Sequence, residues 1–331
     1  MNLLETLLST NDYLLTDGAM GTMLMSAGLE QGNPPEAWNI LYSERIRAVH
    51  HSYIEAGARI ILTNSFGGTR FRLKLHNLQD RTYELNRAAA ELARAEADAA
   101  RHPIVVAGSI GPSGEILQPV GALSFEEARA GFAEQAAGLV DGGVDVLWIE
   151  TMSDLNEVRA AVEGIRSLPT PSLPVVTTMT FDTNGRTMMG VTPVQALTAL
   201  RCLEPLALGG NCGNGPAEIE AVVQAMYAAD QTSGLRATLL VAKSNAGIPE
   251  YVNGDLRYNG TPEVMACHAV RVRDLGASII GACCGSTPAH IQAMAAALAS
   301  TPINRTVVES ALAASDQPAA VDQPRSRRRQ R

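Results

Sequence analysis

The stretch FEEARAGFAEQAAGLVDGGVDVLWIE, residues 125–150, contains one complete helix–strand unit. Its first part carries apolar residues three and four positions apart and ends in two glycines, as amphipathic helices often do. Its last part, VDVLWIE (144–150), is a short apolar run typical of a buried strand. Alternation of such helices and strands predicts parallel strands joined by right-handed crossovers.

The same alternation extends over most of the chain. We predict eight strands, at YLLT (13–16), RIILTN (59–64), PIVVAGS (103–109), VDVLWIE (144–150), PVVTTMT (174–180), LALGGN (206–211), TLLVAKS (238–244) and SIIGAC (278–283). Eight units predict an α/β fold of the (β/α)8 TIM-barrel type, whose usual length is roughly 250 residues. A doubly wound open sheet is the alternative, but no G-x-G-x-x-G motif opens a helix after the first strand.

The end of the chain has a different composition. Residues 301–331 are rich in Ala, Pro, Gln and Arg and lack an apolar period. Such a segment cannot bury enough apolar surface to fold, so we predict a barrel over residues 1–300 and a disordered tail over 301–331. The basic end RSRRRQR is interpreted as solvated, with contact to an acidic partner as the alternative.

Composition limits the classes of partner. The net charge of −8 argues against nucleic acid and membrane surfaces, which both favour basic proteins. The N-terminus has an acid, Glu5, and no basic region typical of a signal peptide. No apolar run approaches the roughly 20 residues that cross a bilayer. We therefore expect a cytoplasmic protein.

The five cysteines are too few and too sparse for a disulfide framework. Cys202 and Cys267 fall in predicted helices and are interpreted as packing residues. Cys212, Cys283 and Cys284 follow the sixth and eighth strands, at the end of a TIM barrel where active sites lie. Those strand ends are two spacings apart, roughly 10 Å at about 4.8 Å each, so the thiols can converge.

Three converging thiolates would repel one another unless a cation lay between them. Zn²⁺ is tetrahedral and favours thiolates, and three protein ligands leave one position open, as in catalytic zinc sites. For Cys283 and Cys284 alone, packing and a vicinal disulfide are the alternatives. The disulfide would need a strained peptide and an oxidising environment.

Two acids also lie at predicted strand ends. Asp17 follows the first strand and precedes Gly18, a pair that also suits a simple turn. Glu150 closes the fourth strand, where a buried carboxylate needs a partner. A ligand ammonium and an ordinary salt bridge are both open as that partner.

Several motifs together resemble the zinc-dependent homocysteine S-methyltransferase family. That family includes the homocysteine domain of cobalamin-dependent methionine synthase, betaine–homocysteine methyltransferase and S-methylmethionine–homocysteine methyltransferase. The resemblance extends over about residues 10–300. The motifs are DGAMGT (17–22), EAGA (55–58), TNSF (63–66), ET (150–151), GNC (210–212) and GACCGSTP (281–288).

The resemblance implies a role for individual residues. It implies that Cys212, Cys283 and Cys284 are the zinc ligands and catalytic residues, with the sulfur of homocysteine as fourth ligand. The remaining matched positions are expected to bind the amino-acid part of homocysteine. Asp17 and Glu150 would hold the amino group of homocysteine, and Gly18, Thr63 and Ser109 lie at or near positions that contact its amino-acid portion.

The implied reaction is methylation of homocysteine to methionine. Glycine betaine, giving dimethylglycine, is the first methyl donor that we consider. S-methylmethionine or another sulfonium compound is an alternative, and so is a methyl group from a separate corrinoid protein. Since the chain ends after one barrel, we expect no folate-binding or cobalamin-binding domain and no complete methionine synthase. The protein would then be an enzyme or, as a different class, a zinc-holding subunit that docks a methyl carrier and is inactive alone. A homo-oligomer is common among enzymes of this size.

The sequence departs from the animal betaine enzyme at the expected aromatic cage, which favours quaternary ammonium groups. Two cage tyrosines of that enzyme are matched here by Gly67 and Thr151. Trp38, Tyr251 and Tyr258 are candidates to replace them. The TNSF and DGAMGT stretches look closer to methionine synthase, which keeps the corrinoid donor open.

Overall fold

The predicted alternation of strands and helices is present in a computed structural model, which describes residues 2–169, 173–235, 237–252 and 255–305. Eight parallel strands form one sheet in the order β1-β10-β7-β6-β5-β4-β3-β2. A separate antiparallel hairpin, β8–β9, projects between β7 and the next helix. The strands are β1 (Leu14–Leu15), β2 (Ile60–Leu62), β3 (Val105–Ile110), β4 (Val146–Met152), β5 (Val175–Met179), β6 (Ala207–Cys212), β7 (Leu239–Ser244), β8 (Pro249–Val252), β9 (Asp255–Tyr258) and β10 (Ala277–Ala282).

Backbone hydrogen bonds between β1 and β2 bring the two edges of the sheet together. Arg59 N donates to Leu15 O at 2.7 Å, and Asp17 N donates to Ile60 O at 3.0 Å. Thr16 and Ile60 form a parallel bridge between them. The sheet thereby curls into a nearly closed barrel, and the predicted (β/α)8 TIM-barrel fold is confirmed.

Helices surround the barrel and cover its lower end. They are α1 (Leu3–Thr10), α2 (Met20–Ser26), α3 (Trp38–Leu41), α4 (Ser43–Glu55), α5 (Arg70–Leu73), α6 (Thr82–Ala99), α7 (Phe125–Asp141), α8 (Leu155–Arg166), α9 (Pro193–Arg201), α10 (Pro216–Thr232), α11 (Pro262–Asp274) and α12 (Pro288–Ser300). Three short 3-10 turns lie at Pro35–Ala37, Lys74–His76 and Gln79–Arg81. None of the helices in the described ranges is long and apolar enough to cross a membrane.

Alternate residues of each strand face opposite layers of the core. In β4, Val146 and Trp148 belong to the inner cluster that fills the barrel, whereas Leu147 and Ile149 pack outward against the helices. Leu4 and Leu7 of α1 belong to the inner cluster. Apolar side chains thus fill the barrel interior below the carboxyl ends of the strands, and the polar side chains of the cavity described below lie at those ends.

Several sequence-based expectations differ from the structure. α1 was not predicted, and neither was the β8–β9 hairpin. Cys202 and Cys267 are exposed, so their interpretation as packing residues is wrong. Residues 306–331 lie outside the described residues. The domain limit at residue 300 and the disordered tail therefore stay predictions.

Gly209 allows β6 and β7 to approach closely, and we expect the Gly209→Ala variant to be less stable. A Cβ at this position would collide with the backbone of Val241 on β7. Overpacking of this kind typically costs about 1–3 kcal/mol in the free energy of unfolding, which chemical denaturation will measure. Gly21→Ala is the matched control because a Cβ there meets no atom within 4 Å. Equal stability of the two variants would contradict the close approach.

Candidate metal and substrate site

A cavity of about 610 Å³ opens at the carboxyl ends of the barrel strands. Its wall includes every site residue predicted from the sequence: Asp17, Gly18, Thr63, Ser109, Glu150, Cys212, Cys283 and Cys284. Because these residues come from β1, β2, β3, β4, β6 and β10 or the turns after them, the barrel brings them together from distant parts of the chain.

Three thiols meet on one side of the cavity. The Sγ atoms of Cys212, Cys283 and Cys284 all lie within 4.8 Å of one another, and all three residues are half-buried. Each cysteine is a free thiol. No other group of three His, Cys, Asp or Glu side chains in the described ranges brings its ligand atoms so close.

The backbone around β7 sets this convergence. Cys212 has a φ of 65°, a left-handed conformation that is rare outside glycine and that ends β6 with a sharp turn. Cys283 N donates to Ser244 O at 2.7 Å, and Ala246 N donates to Cys284 O at 2.9 Å. The loop after β7 therefore holds the two neighbouring cysteines beside Cys212, and the strained turn is of the kind that occurs at functional sites.

The thiols are protonated at neutral pH in the absence of a cation. A hydrogen bond with Cys212, together with burial, raises the pKa of the Cys283 thiol above its usual range. Hydrogen bonding among the thiols and burial place the pKa of Cys212 and of Cys284 at about 12. Three sulfur donors with a partly open face fit a thiolate-favouring divalent cation, whose binding must displace these protons.

Asn211 supports the thiol cluster and was missed by sequence reasoning. Its fully buried side chain accepts from Thr151 N at 2.8 Å and from Thr178 Oγ1 at 2.6 Å. Its Nδ2 donates to Thr151 Oγ1 at 2.7 Å and lies 3.9 Å from Cys283 Sγ. Asn211 thus ties Thr151, whose φ is 61°, to the sulfur cluster. An asparagine inside the otherwise apolar run LALGGN was the available signal.

The two predicted acids lie buried at the cavity wall. Asp17 Oδ2 accepts from Leu62 N at 2.7 Å, across to the neighbouring strand, so this residue does more than form its own turn. Asp17 Oδ1 is buried without a hydrogen-bond partner, and burial raises the pKa of Asp17 to about 7. Glu150 Oε1 accepts from Ser109 Oγ at 2.5 Å. Thr63 Oγ1 in turn accepts from Ser109 N at 3.0 Å, so the threonine and serine fix the position of Glu150.

Lys243 on β7 lines the cavity and, like Asn211, was not predicted from the sequence. Its side chain is 3% exposed, and Nζ lies 3.8 Å from Asp17 Oδ1 and 3.9 Å from Glu150 Oε2. Burial lowers the pKa of Lys243, but the Glu150 and Asp17 carboxylates outweigh that effect and raise it above its usual value. A salt bridge was one alternative for Glu150, and this lysine supplies it. The signal was a lysine in a buried strand, TLLVAKS, where a charge needs partners.

Gly18 lies where the turn after β1 meets the loop after β10. A Cβ at Gly18 would collide with Ser286 Oγ. Ser286 Oγ accepts from Ala19 N at 3.0 Å and donates to Cys283 O at 2.7 Å. Tyr53 OH donates to Ala19 O at 3.0 Å. These contacts couple the DGAMGT turn to the cysteine loop.

The aromatic rings differ from the expected cage. Trp38 is buried, packs against Tyr42 with 4.7 Å between ring centroids, and does not line the cavity, so its predicted role in a cage is wrong. Tyr258 lines the cavity, as does Phe66. The side chain of Tyr251 lies outside the described residues. Arg45 lies over the Trp38 ring, with 5.0 Å from the guanidinium carbon to the ring centroid.

Residues 14–298 match the model of a protein family described as homocysteine S-methyltransferase. The chain belongs to the homocysteine S-methyltransferase family. Its relatives include the methionine synthases of Mycobacterium tuberculosis (strain ATCC 25618 / H37Rv), 34% identical over 301 residues, and of Mycobacterium leprae (strain TN), 33% identical over 313 residues. The alignments cover 86% and 90% of this chain but only 24% and 25% of those proteins. The chain therefore spans about a quarter of the length of these relatives.

Solved structures support the same assignment. The homocysteine methyltransferase MmuM from Escherichia coli superposes in its metallated form with a TM-score of 0.74 and 26% identity. The superposition covers 88% of this chain and 99% of MmuM. Its oxidised form gives the same TM-score with 27% identity, covering 89% of this chain and 99% of MmuM. The family and the fold predicted from the sequence are confirmed.

Proposed function

We propose that the protein methylates the sulfur of homocysteine to give methionine, with Zn²⁺ held by Cys212, Cys283 and Cys284. The observation that carries this proposal is the convergence of three thiols beside two buried carboxylates in one cavity. The existence of a metallated form of MmuM supports the proposal that the present chain also binds a metal. Three sulfur ligands favour zinc over harder cations and leave one position for the substrate sulfur.

The chain's own residues bind and orient the amino acid. Asp17 Oδ1, a buried acceptor without a donor, is suited to an ammonium hydrogen of homocysteine. Glu150, fixed by Ser109, offers a second carboxylate in the same cavity, and Gly18 and Thr63 complete the wall. Holding the amino group there directs the thiol of the substrate toward the three cysteines.

Methyl transfer needs the thiolate form of homocysteine, because a free thiol is mostly protonated at neutral pH. Bound Zn²⁺ lowers the pKa of a thiol that it coordinates and so supplies a nucleophile at neutral pH. With betaine, a lone pair on the homocysteine sulfur forms the new S–C bond as the methyl C–N bond breaks. That electron pair leaves with nitrogen, giving dimethylglycine. The cavity wall holds both substrates in line and limits access of water.

We propose glycine betaine as the first candidate donor, with a sulfonium compound such as S-methylmethionine next. Besides the two acids assigned to homocysteine, the cavity wall carries Glu36, a carboxylate that can attract a cationic donor, together with the cation Arg72. Phe66 and Tyr258 line the same cavity and are candidates to contact an onium group.

A methyl group from a separate corrinoid protein is the second candidate. Phe66 and Tyr258 are the two Phe, Tyr or Trp residues that line the cavity among the described ranges, and the two tyrosines expected in an aromatic cage are matched here by Gly67 and Thr151. The similarity to one quarter of two methionine synthases favours the same donor. In that case this chain would act together with a methyl carrier and be inactive alone.

A donor panel tests the proposed function. Purified protein, zinc and homocysteine are mixed with betaine, S-methylmethionine or a methylated corrinoid protein, and methionine is measured. Methionine with dimethylglycine from betaine supports the first candidate. Turnover with the corrinoid protein alone supports the second, and no methionine from any donor contradicts the proposed function.

The ionisation of Asp17 predicts a pH dependence for homocysteine binding. Burial raises the pKa of Asp17 to about 7, so the carboxylate that accepts from the ammonium is present above that pH and is lost below it. We expect kcat/KM for homocysteine to fall by about tenfold per pH unit below 7. Asp17→Asn is the control for loss of zinc at low pH. In this variant any fall of kcat/KM caused by loss of zinc remains, whereas the fall caused by protonation of the Asp17 carboxylate is absent. Identical profiles for the two proteins would contradict this assignment.

A further inference from the structure

Lys243 forms the floor of the predicted amino-group site, and the inference below rests on the proposed function of Asp17 and Glu150. Its Nζ is almost equidistant from Asp17 Oδ1 and Glu150 Oε2, at 3.8 and 3.9 Å. It also lies 5.4 Å from the centroid of the Trp148 ring, which belongs to the apolar layer inside the barrel. Lys243 therefore lies between the core and both acids.

The charges around this lysine do not cancel. Two carboxylates face one ammonium, and the thiol of Cys283 is the next titratable group that acts on Lys243. With both acids ionised, the floor keeps one excess negative charge, in a place where an uncompensated charge is costly. A ligand that carries one ammonium group would neutralise it.

The hydrogen bonding leaves room for the same ligand. Both distances from Lys243 Nζ exceed hydrogen-bond length, so the lysine compensates charge without saturating either carboxylate. Asp17 Oδ1 has no hydrogen-bond donor although it is buried. The unpaired acceptor Asp17 Oδ1 and the excess negative charge of the Asp17, Glu150 and Lys243 group thus lie together on the cavity wall.

We propose that Lys243 is a positioning residue that makes the site selective for thiols carrying an α-amino group. Its ammonium compensates one of the two carboxylate charges and keeps Asp17 and Glu150 together at the floor. The second charge is left for the ammonium of the substrate. Without the lysine, two buried carboxylates face each other, and such a pair takes up a proton or moves apart. Either response removes the complement of the substrate ammonium.

The test compares ligand binding by the wild-type protein and by Lys243→Met, a variant of similar length without charge. Calorimetry on the zinc-loaded proteins, with no methyl donor, measures the dissociation constants of homocysteine and of 4-mercaptobutanoate, which lacks only the amino group. We expect homocysteine to bind Lys243→Met roughly tenfold more weakly, the effect of about one pKa unit of charge interaction. Its preference over 4-mercaptobutanoate is expected to fall by the same factor.

Two further measurements separate this role from a purely structural one. Lys243→Arg keeps the charge and is expected to retain most of the preference, and the zinc content of both variants is expected to match the wild type. Tighter homocysteine binding by Lys243→Met would show that the lysine competes with the substrate and would overturn the proposal. An equal weakening of homocysteine and 4-mercaptobutanoate binding would also overturn the proposal. If Lys243→Met fails to fold, Lys243→Arg decides instead, and loss of the preference for homocysteine in that variant would overturn the proposal. Failure of the wild-type protein to bind homocysteine would instead contradict the proposed function itself.

Discussion

Cys284→Ala is expected to lose both zinc and methionine formation. Removing one of three sulfur ligands leaves two, too few to hold a catalytic zinc ion with an open position. Mutation of a residue that only hydrogen-bonds to a metal ligand typically lowers metal affinity or activity by about 10- to 100-fold. Removal of a ligand itself is therefore expected to lower them by more than roughly a hundredfold. Zinc content after dialysis and initial rates of methionine formation measure the two effects.

Cys267→Ala is the matched control for that variant. Cys267 is an exposed free thiol on α11, outside the cavity wall. Its replacement is expected to leave zinc content and rate unchanged, which excludes a general effect of removing a thiol. Stoichiometric zinc in Cys284→Ala would count against the assignment of Cys284 as a zinc ligand.

Glu150→Gln is expected to weaken homocysteine recognition while leaving zinc in place. Glutamine keeps the size of the side chain and can still accept from Ser109 Oγ, which lies 2.5 Å from Glu150 Oε1. It removes the charge that we propose attracts the substrate ammonium. A strong hydrogen bond to a charged group contributes about 2–3 kcal/mol to the free energy of binding. Its loss corresponds to a roughly 30- to 150-fold decrease in kcat/KM for homocysteine.

Glu157→Gln is the matched control for Glu150→Gln. Glu157 is also buried, but it accepts from Ser113 N and Oγ at 2.8 and 2.5 Å and does not line the cavity. Its replacement is expected to leave the KM for homocysteine unchanged. If Glu150→Gln behaves in the same way, the amino group of the substrate does not bind at Glu150.

The fold was predictable because each strand and helix has a local pattern. The run VDVLWIE, for example, forms β4, and the helix before it forms α7. The β8–β9 hairpin was missed because its two short strands pair with each other outside the barrel sheet and so fall outside the repeating pattern of strand and helix. α1 was missed although its N-terminus carries a capping box, Asn2 with Glu5.

The convergence of the thiols was predictable from topology. The sixth and eighth strands of a closed barrel flank the seventh, as β6 and β10 flank β7 here. The contributions of Asn211 and Lys243 were not predicted, because they depend on which residue of a strand faces inward at the level of the cavity. That level follows from the register between strands, which pairs Asn211 with Lys243. Trp38 was misplaced because its ring packs against Tyr42 and Arg45, contacts that the sequence pattern does not show.

X-ray absorption at the zinc edge, recorded before and after addition of homocysteine, tests the central claim most directly. The account predicts one zinc ion per chain with three sulfur ligands in the free protein and four sulfur ligands once homocysteine is bound. Fewer than three sulfur ligands in the free protein, or a sulfur count that does not change with homocysteine, would contradict it.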